Sequence, residues 1–290
     1  MAEVSQETPA RAEPAAQKAA RAARPARAYS VRALPGFAAV ALFTFVALYA
    51  PIIILVVYSF NEGRSLAVWE GFSLRWYAKA AANEAVQDAA FRSLYLAGLA
   101  ATIATLAATM AALATTRTRR FPGRTMIYAL INQPLMVPEI VTAVALLIVF
   151  AWVKVATGHT SMVYLIAGHT AFCVPFAYLP IRARLETMDL SLETAAADLY
   201  ASPWQVFRRI TLPLMMPGII AGYMLAFVIS LDDVVITEFV KSAGQETLPT
   251  YMLGQLRRVV TPEVNAISTV ILVAGATLVS LFFWFSRNRR

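Results

Sequence analysis

Residues 33–61 read ALPGFAAVALFTFVALYAPIIILVVYSFN, and this stretch indicates the class of protein because it contains no charged residue. A helix of about 20 apolar residues is long enough to cross the hydrocarbon core of a bilayer. Within lipid such a run must be helical, since every backbone polar group needs a hydrogen-bond partner inside the segment. The stretch therefore predicts a first membrane-spanning helix between Arg32 and Glu62.

Five further runs of the chain have the same apolar character. They lie between Arg92 and Arg117, from Arg124 to Lys154, from Lys154 to Arg182, from about Pro213 through Asp233, and between Glu263 and Arg287. The whole composition agrees, because 59% of the residues are hydrophobic and only 14% are charged, whereas about a quarter are charged in soluble domains. We expect an all-α membrane protein with six transmembrane helices.

The distribution of Lys and Arg predicts the orientation. Six spans place both termini on one side of the membrane, and that side also holds most of the basic residues. The positive-inside rule assigns it to the cytoplasm, although the excess is smaller when the N-terminal residues are left out. Residues 1–30 are rich in Ala, Arg, Glu and Pro and predict a disordered cytoplasmic tail, which leaves 31–290 as the membrane domain.

Residue counts argue against several other classes of protein. The net charge of +8 comes from short clusters between apolar runs, a pattern unlike a basic nucleic-acid-binding face. One cysteine, Cys173, cannot form an internal disulfide, and two histidines without metal-ligand spacing predict no metal site. The chain also lacks a GxxxxGK[ST] phosphate loop and the common catalytic motifs. We therefore expect neither an enzyme nor a chain that holds a cofactor.

Acidic residues within the predicted spans are the candidate substrate contacts. Glu139 lies in the third run, and Asp232 and Asp233 lie in the fifth. Each such acid costs about 2.5–3.5 kcal/mol on insertion scales, so it usually faces the bundle interior or a wet path. Trp76, in the loop after the first span, is the aromatic candidate because an indole ring binds cations. A purely structural network of buried acids is the alternative.

The loop 185–213 has a pattern too regular for a simple connection. Leu192, Ala195, Ala196 and Leu199 fall on one face of a helix. Ser202, followed by Pro203 and then Gln205, is a capping-box start for a second helix, which we expect to end at Leu212-Pro213. The pattern predicts two short amphipathic helices joined by a tight turn.

The segment Glu193-Thr-Ala-Ala-Ala-Asp-Leu-Tyr-Ala201, with Leu212-Pro213 and Pro217-Gly218 after it, resembles the cytoplasmic EAA loop of ABC importer permeases. The resemblance implies a type I ABC importer permease fold and helices that couple the chain to an ATPase subunit. Two positions depart from the family pattern: Thr194 stands where Glu is usual, and Tyr200 stands where Gly is usual. The implied coupling residues are Glu193, Thr194, Ala195, Ala196, Asp198, Tyr200, Pro203 and Phe207.

Fragments along most of the chain are similar to spermidine/putrescine permeases. They are residues 49–52, 58–61, 72–77, 138–141, 169–176, 230–235 and 261–266. The resemblance implies a polyamine substrate, a second permease subunit, two ATPase subunits holding ATP and magnesium, a periplasmic binding protein and an inner-membrane location. An importer for another organic amine or amino-acid derivative is the alternative, and a secondary transporter is a weaker one.

Overall fold

The computed structural model describes residues 36–65, 68–118, 122–258 and 261–287. Regular secondary structure in these ranges is helical, apart from an isolated antiparallel bridge between Asn61 and Phe72. The predicted N-terminal tail, 1–30, lies outside the described residues. The helices are α1 Phe37–Tyr58, α2 Arg75–Ala82, α3 Glu84–Arg117, α4 Arg124–Met136, α5 Glu139–Thr157, α6 Val163–Glu186, α7 Ser191–Asp198, α8 Pro203–Val206, a π-helical segment Phe207–Thr211, α9 Leu212–Asp232, α10 Val235–Val240, α11 Leu248–Arg258 and α12 Pro262–Arg287.

Five helices within the described ranges are long and apolar enough to cross a bilayer. They are α1, α3, α5, α6 and the continuous helix Pro203–Asp232. The sixth predicted span corresponds to α12, Pro262–Arg287, a helix of 26 residues. The prediction of an all-helical membrane protein is confirmed.

The third predicted span is two helices rather than one. The chain leaves helical geometry at Val137, whose φ and ψ are −97° and 136°, and α5 begins at Glu139. Pro138 explains the break, because a proline pushes the preceding residue toward extended geometry. Glu139 is therefore the first residue of a helix and not the middle of one.

The predicted helix end at Leu212-Pro213 was wrong. The helix that begins at Pro203 continues without interruption to Asp232. Pro213 has no amide hydrogen to donate one turn back. The π-helical segment immediately before it accommodates this, with the amide of Leu212 donating to the carbonyl of Phe207.

The core lies where α3, α6 and α9 pack together. The face of α3 that enters it is a row of fully buried alanines: Ala97, Ala100, Ala101, Ala104, Ala108 and Ala112. On α9, Gly222 lies against the backbone of Ala177 in α6. Small residues let helix backbones approach closely, and membrane helices gain packing contacts in this way.

Candidate functional site

Asp233 lies at a break between two helices, where α9 ends and α10 begins. Its carboxylate accepts hydrogen bonds from the amides of Ile236 at 3.2 Å and Thr237 at 2.9 Å, and from the Thr237 hydroxyl at 2.9 Å. These amides belong to the first turn of α10, which has no earlier carbonyls to pair with. Asp233 is buried, so α10 begins where it does because this side chain satisfies its free donors.

His169, on α6, joins the two sides of that break. Its Nδ1 lies 2.8 Å from the hydroxyl of Ser230 on α9, and its Nε2 lies 2.9 Å from the hydroxyl of Thr237 on α10. Nε2 is also 3.3 Å from the Asp233 carboxylate. The imidazole is 1% exposed with both nitrogens bonded, as expected for a satisfied interior histidine. Among the described residues, no group of three His, Cys, Asp or Glu could hold a metal ion.

Glu139 approaches the same break from α5. It is half-buried at the first position of α5, and its carboxyl group reaches that of Asp233. Two ionised carboxylates that face each other repel, so a positive charge between them is stabilising. In the described part of the chain, no Lys or Arg forms an ion pair with Glu139, Asp232 or Asp233.

The two adjacent aspartates differ in environment. Asp233 is buried and fully bonded, whereas Asp232 is the last residue of α9 and is exposed. Neighbouring positions on a helix are about 100° apart, so the two carboxylates leave the backbone in different directions. The structure therefore brings Glu139 and Asp233 together and leaves Asp232 accessible.

Trp76 is the second residue of α2, a short helix within the loop between α1 and α3, and it contacts residues of that loop rather than this cluster. Its side chain is 4% exposed, and Nε1 donates to the carbonyl of Asn61 at 2.9 Å. Arg75 and Lys79 already lie over its ring, at 4.6 and 5.3 Å from the centroid. Among the described residues, neither Glu139 nor Asp232 nor Asp233 is a hydrogen-bond or cation–π partner of Trp76. Trp76 stabilises its own loop.

The loop 185–213 contains the two predicted helices, α7 and α8, with a tight turn between them. The backbone amide of Ser191 donates to Asp189 at 2.9 Å, which lowers the pKa of that exposed carboxyl and helps α7 begin. The capping box at Ser202 is present in full, with the Gln205 side chain accepting from the Ser202 amide. The capping motif is thus confirmed.

The turn itself keeps the left-handed conformation that the family's glycine would supply. Tyr200 has φ 60°, and the amide of Ala201 closes the turn on the carbonyl of Ala196. A side chain at this φ is strained. The ring of Tyr200 is 97% exposed, and Leu199 and Trp204 beside it are also exposed.

The other implied coupling residues divide between this surface and the interior. Asp198, Thr194, Ala195 and Pro203 are exposed, and Ala196 is half-buried. Phe207 stacks on Trp204 at 5.6 Å between ring centroids and packs against the core on its other side. Glu193 is turned inward and bonds to Arg117 and Thr211.

Sequence reasoning missed the partners of these groups. Arg117 and Thr211 bind Glu193, and Ser230 and Thr237 bind His169. Each pair except Glu193 and Thr211 is more than 60 positions apart in the chain, so no helical or strand periodicity connects them. The single local signal is that Thr237 stands four residues after Asp233, the spacing of a helix-capping contact.

Comparison with known proteins shows what the chain is similar to. Residues 102–288 match the family described as binding-protein-dependent transport system inner membrane component. The putrescine transport system permease protein PotI of Escherichia coli (strain K12) is 39% identical over 250 residues, covering 85% of this chain and 88% of that protein. The spermidine/putrescine transport system permease protein PotC of Haemophilus influenzae is 39% identical over 234 residues, covering 81% and 90% respectively.

Solved structures share the fold at low sequence identity. A chain of a bacterial ABC transporter involved in import of the acidic polysaccharide alginate superposes with a TM-score of 0.63 at 16% identity, covering 86% of this chain and 92% of that one. A chain of an amino acid ABC transporter gives a TM-score of 0.56 at 18% identity, with coverage of 73% and 98%.

Proposed function

Because the chain belongs to the family of binding-protein-dependent transport system inner membrane components, it is a permease subunit of an ABC importer, and we propose that it passes polyamines such as spermidine and putrescine across the bacterial inner membrane. The observation that carries the substrate assignment is the 39% identity to a putrescine permease over 85% of the chain. The chain is a transport subunit and not a catalyst.

Acidic residues at the break before α5 and at the break between α9 and α10 support a path for a cationic substrate. Glu139 and Asp233 bring two carboxyl groups together, no Lys or Arg of the described residues forms an ion pair with either, and Asp232 lies exposed next to the break. Asp233 is occupied with capping α10, so Glu139 and Asp232 are the better candidates to contact an ammonium group. The methylene chain of a polyamine needs only apolar walls, which the spans supply.

The rest of the importer follows from the family. The proposed assembly is a second similar permease, two ATPase subunits that hold ATP and magnesium, and a periplasmic binding protein. A relative of this fold has been solved in complex with an alginate pentasaccharide-bound periplasmic protein. Both termini are assigned to the cytoplasm, residues 31–290 to the membrane domain and residues 185–213 to ATPase coupling. Closure of the ATPase pair would move this loop and open the bundle outward, which is alternating access.

Another organic amine or an amino-acid derivative remains the competing substrate. A secondary transporter is disfavoured, because the chain belongs to a family of binding-protein-dependent transport components, and such importers are driven by an ATPase.

The test is uptake of labelled spermidine, putrescine and 4-aminobutyrate in cells that lack this permease. Wild type should restore polyamine uptake, and Glu139→Gln and Asp232→Asn should each reduce it at equal membrane abundance. Glu84→Gln, an exposed acid in the first turn of α3, is the matched control and should transport normally. Restored uptake of 4-aminobutyrate alone would refute the polyamine assignment.

A further inference from the structure

The guanidinium of Arg117, the last residue of α3, is the centre of a bonded group at one end of the bundle. Its Nε donates to the Glu193 carboxylate at 3.2 Å, and its Nη1 donates to the carbonyl of Leu185 at 3.1 Å. Arg117 and Glu193 are each about one-fifth exposed, with side-chain values of 19% and 20%. The ion pair is therefore partly shielded from water. An ion pair in this position is stronger than one at the open surface.

Glu193 has a second partner on a third element. The hydroxyl of Thr211 donates to the same carboxylate oxygen at 3.0 Å. Thr211 is 5% exposed and ends the π-helical segment that continues directly into α9. One carboxylate on α7 thus bonds both to the end of α3 and to the start of α9; we call Arg117, Glu193 and Thr211 the Glu193 bridge.

The elements that the bridge joins at its two ends, α3 and α9, pack against each other and against α6 in the core. Arg184 Nε on α6 also donates to the carbonyl of Leu214 on α9 at 2.8 Å, and Gly218 lets α6 and α9 approach closely. By contrast α7 has eight residues, none of them buried, and a helix this short is not stable alone. Charge-assisted hydrogen bonds are directional, so a displacement of α7 must either carry α3 and α9 with it or break the bridge.

We propose that Glu193 is a positioning residue whose inward carboxylate transmits movement of the 185–213 loop to α3 and α9. The inference rests on the proposed function, because it assigns the bridge a role in coupling to an ATPase. The family resemblance places Glu193 among the coupling residues, and the structure adds that its carboxylate bonds inward, to Arg117 and Thr211. Contact with the ATPase falls to the exposed side of the loop at Leu199, Tyr200 and Trp204.

Thr211 makes a positioning role of Glu193 distinguishable from direct contact with the ATPase. Because Thr211 is buried, it cannot touch a partner subunit, yet it holds the Glu193 carboxylate. Thr211→Val keeps the side-chain shape and removes the hydroxyl, and Thr211→Ser keeps the hydroxyl as the matched control. A positioning role predicts that Thr211→Val and Glu193→Gln have the same defect.

The experiment uses the complete importer with its binding protein in proteoliposomes. Two quantities are measured for each variant: co-purification of the ATPase subunits, and the stimulation of ATP hydrolysis by spermidine-loaded binding protein. Thr211→Val and Glu193→Gln should retain the ATPase subunits while stimulation falls by about tenfold, the scale of one hydrogen bond to a charged group. Thr211→Ser should behave as wild type.

Three outcomes would count against the inference. Full stimulation in Thr211→Val and Glu193→Gln would show that the bridge transmits nothing. Loss of the ATPase subunits in Glu193→Gln alone would assign Glu193 to direct docking. A wild-type importer without stimulated hydrolysis would contradict the proposed function itself, and with it this inference.

If Thr211→Val is not recovered from membranes, Arg117→Lys tests the same bridge by keeping the charge and removing the guanidinium fork.

Discussion

Replacing Gly222 by alanine should destabilise the permease, because this glycine lies where α9 meets the backbone of α6. An alanine Cβ at position 222 would lie 2.6 Å from the carbonyl oxygen of Ala177 and 3.2 Å from Cγ1 of Ile181. The first separation is shorter than side-chain carbons show in proteins, and a backbone oxygen in a helix cannot rotate away. Relief therefore requires the two helices to separate.

Separation of α6 and α9 carries a cost that can be bounded. Overpacking a well-packed core typically costs about 1–3 kcal/mol, and the upper end applies here because the clash is with backbone. The movement would also loosen contacts of the buried side chains beside it, such as Ile181. Alanine regains about 1 kcal/mol of helix propensity, so we expect a net loss of about 2 kcal/mol.

Gly98→Ala on α3 is the matched control, because its added Cβ would meet no atom within 4 Å. Alanine is favoured over glycine within a helix by about 1 kcal/mol, so this variant should be as stable as wild type or more so. The measurements are the abundance of intact protein in membranes and the midpoint of heat-induced aggregation in detergent. Equal midpoints for the two variants would refute the close approach of α6 and α9.

Three other substitutions test particular contacts. Tyr200→Gly should stabilise the purified chain relative to Tyr200→Ala by about 1 kcal/mol, since both lose the ring but only glycine relieves the positive φ; a more stable alanine variant in thermal unfolding would contradict the strained turn. His169→Leu leaves the hydroxyl groups of Ser230 and Thr237 without their imidazole partner and should lower the stability of the folded chain by about 3 kcal/mol. The measurement is the shift in aggregation midpoint, and an unchanged midpoint would show that His169 does not join α9 to α10. Trp76→Phe loses the bond to the carbonyl of Asn61 and should make the loop more sensitive to protease; a raised KM for uptake with unchanged proteolysis would instead indicate contact with substrate.

Local chemistry made part of the cytoplasmic-loop geometry predictable. The Ser202–Pro203–Gln205 pattern specifies a helix start because every contact it needs lies within three residues. The same holds for the break at Pro138, where the proline itself excludes helical geometry at Val137. The third predicted span accordingly consists of α4 and α5, one on each side of this break.

The candidate acids were identified from the sequence, but their roles were not. Asp232 and Asp233 are chemically identical and adjacent, and only the packing of α10 against α5 and α6 makes one a buried helix cap and leaves the other exposed. Glu193 likewise belongs to a motif that implies ATPase coupling, and only its distance to Arg117 and Thr211 shows that it bonds inward.

By itself the sequence determined that this protein is a multi-span helical permease, because the cost of leaving backbone groups unpaired in lipid forces each long apolar run to be a helix. It also determined the family, through motifs whose residues are close in the chain. Tertiary structure alone decided which polar groups meet, since the partners of His169 and Arg117 come from helices more than 60 residues away. Side-chain hydrogen bonds act over about 3 Å, so such a partner is defined only once the helices have packed.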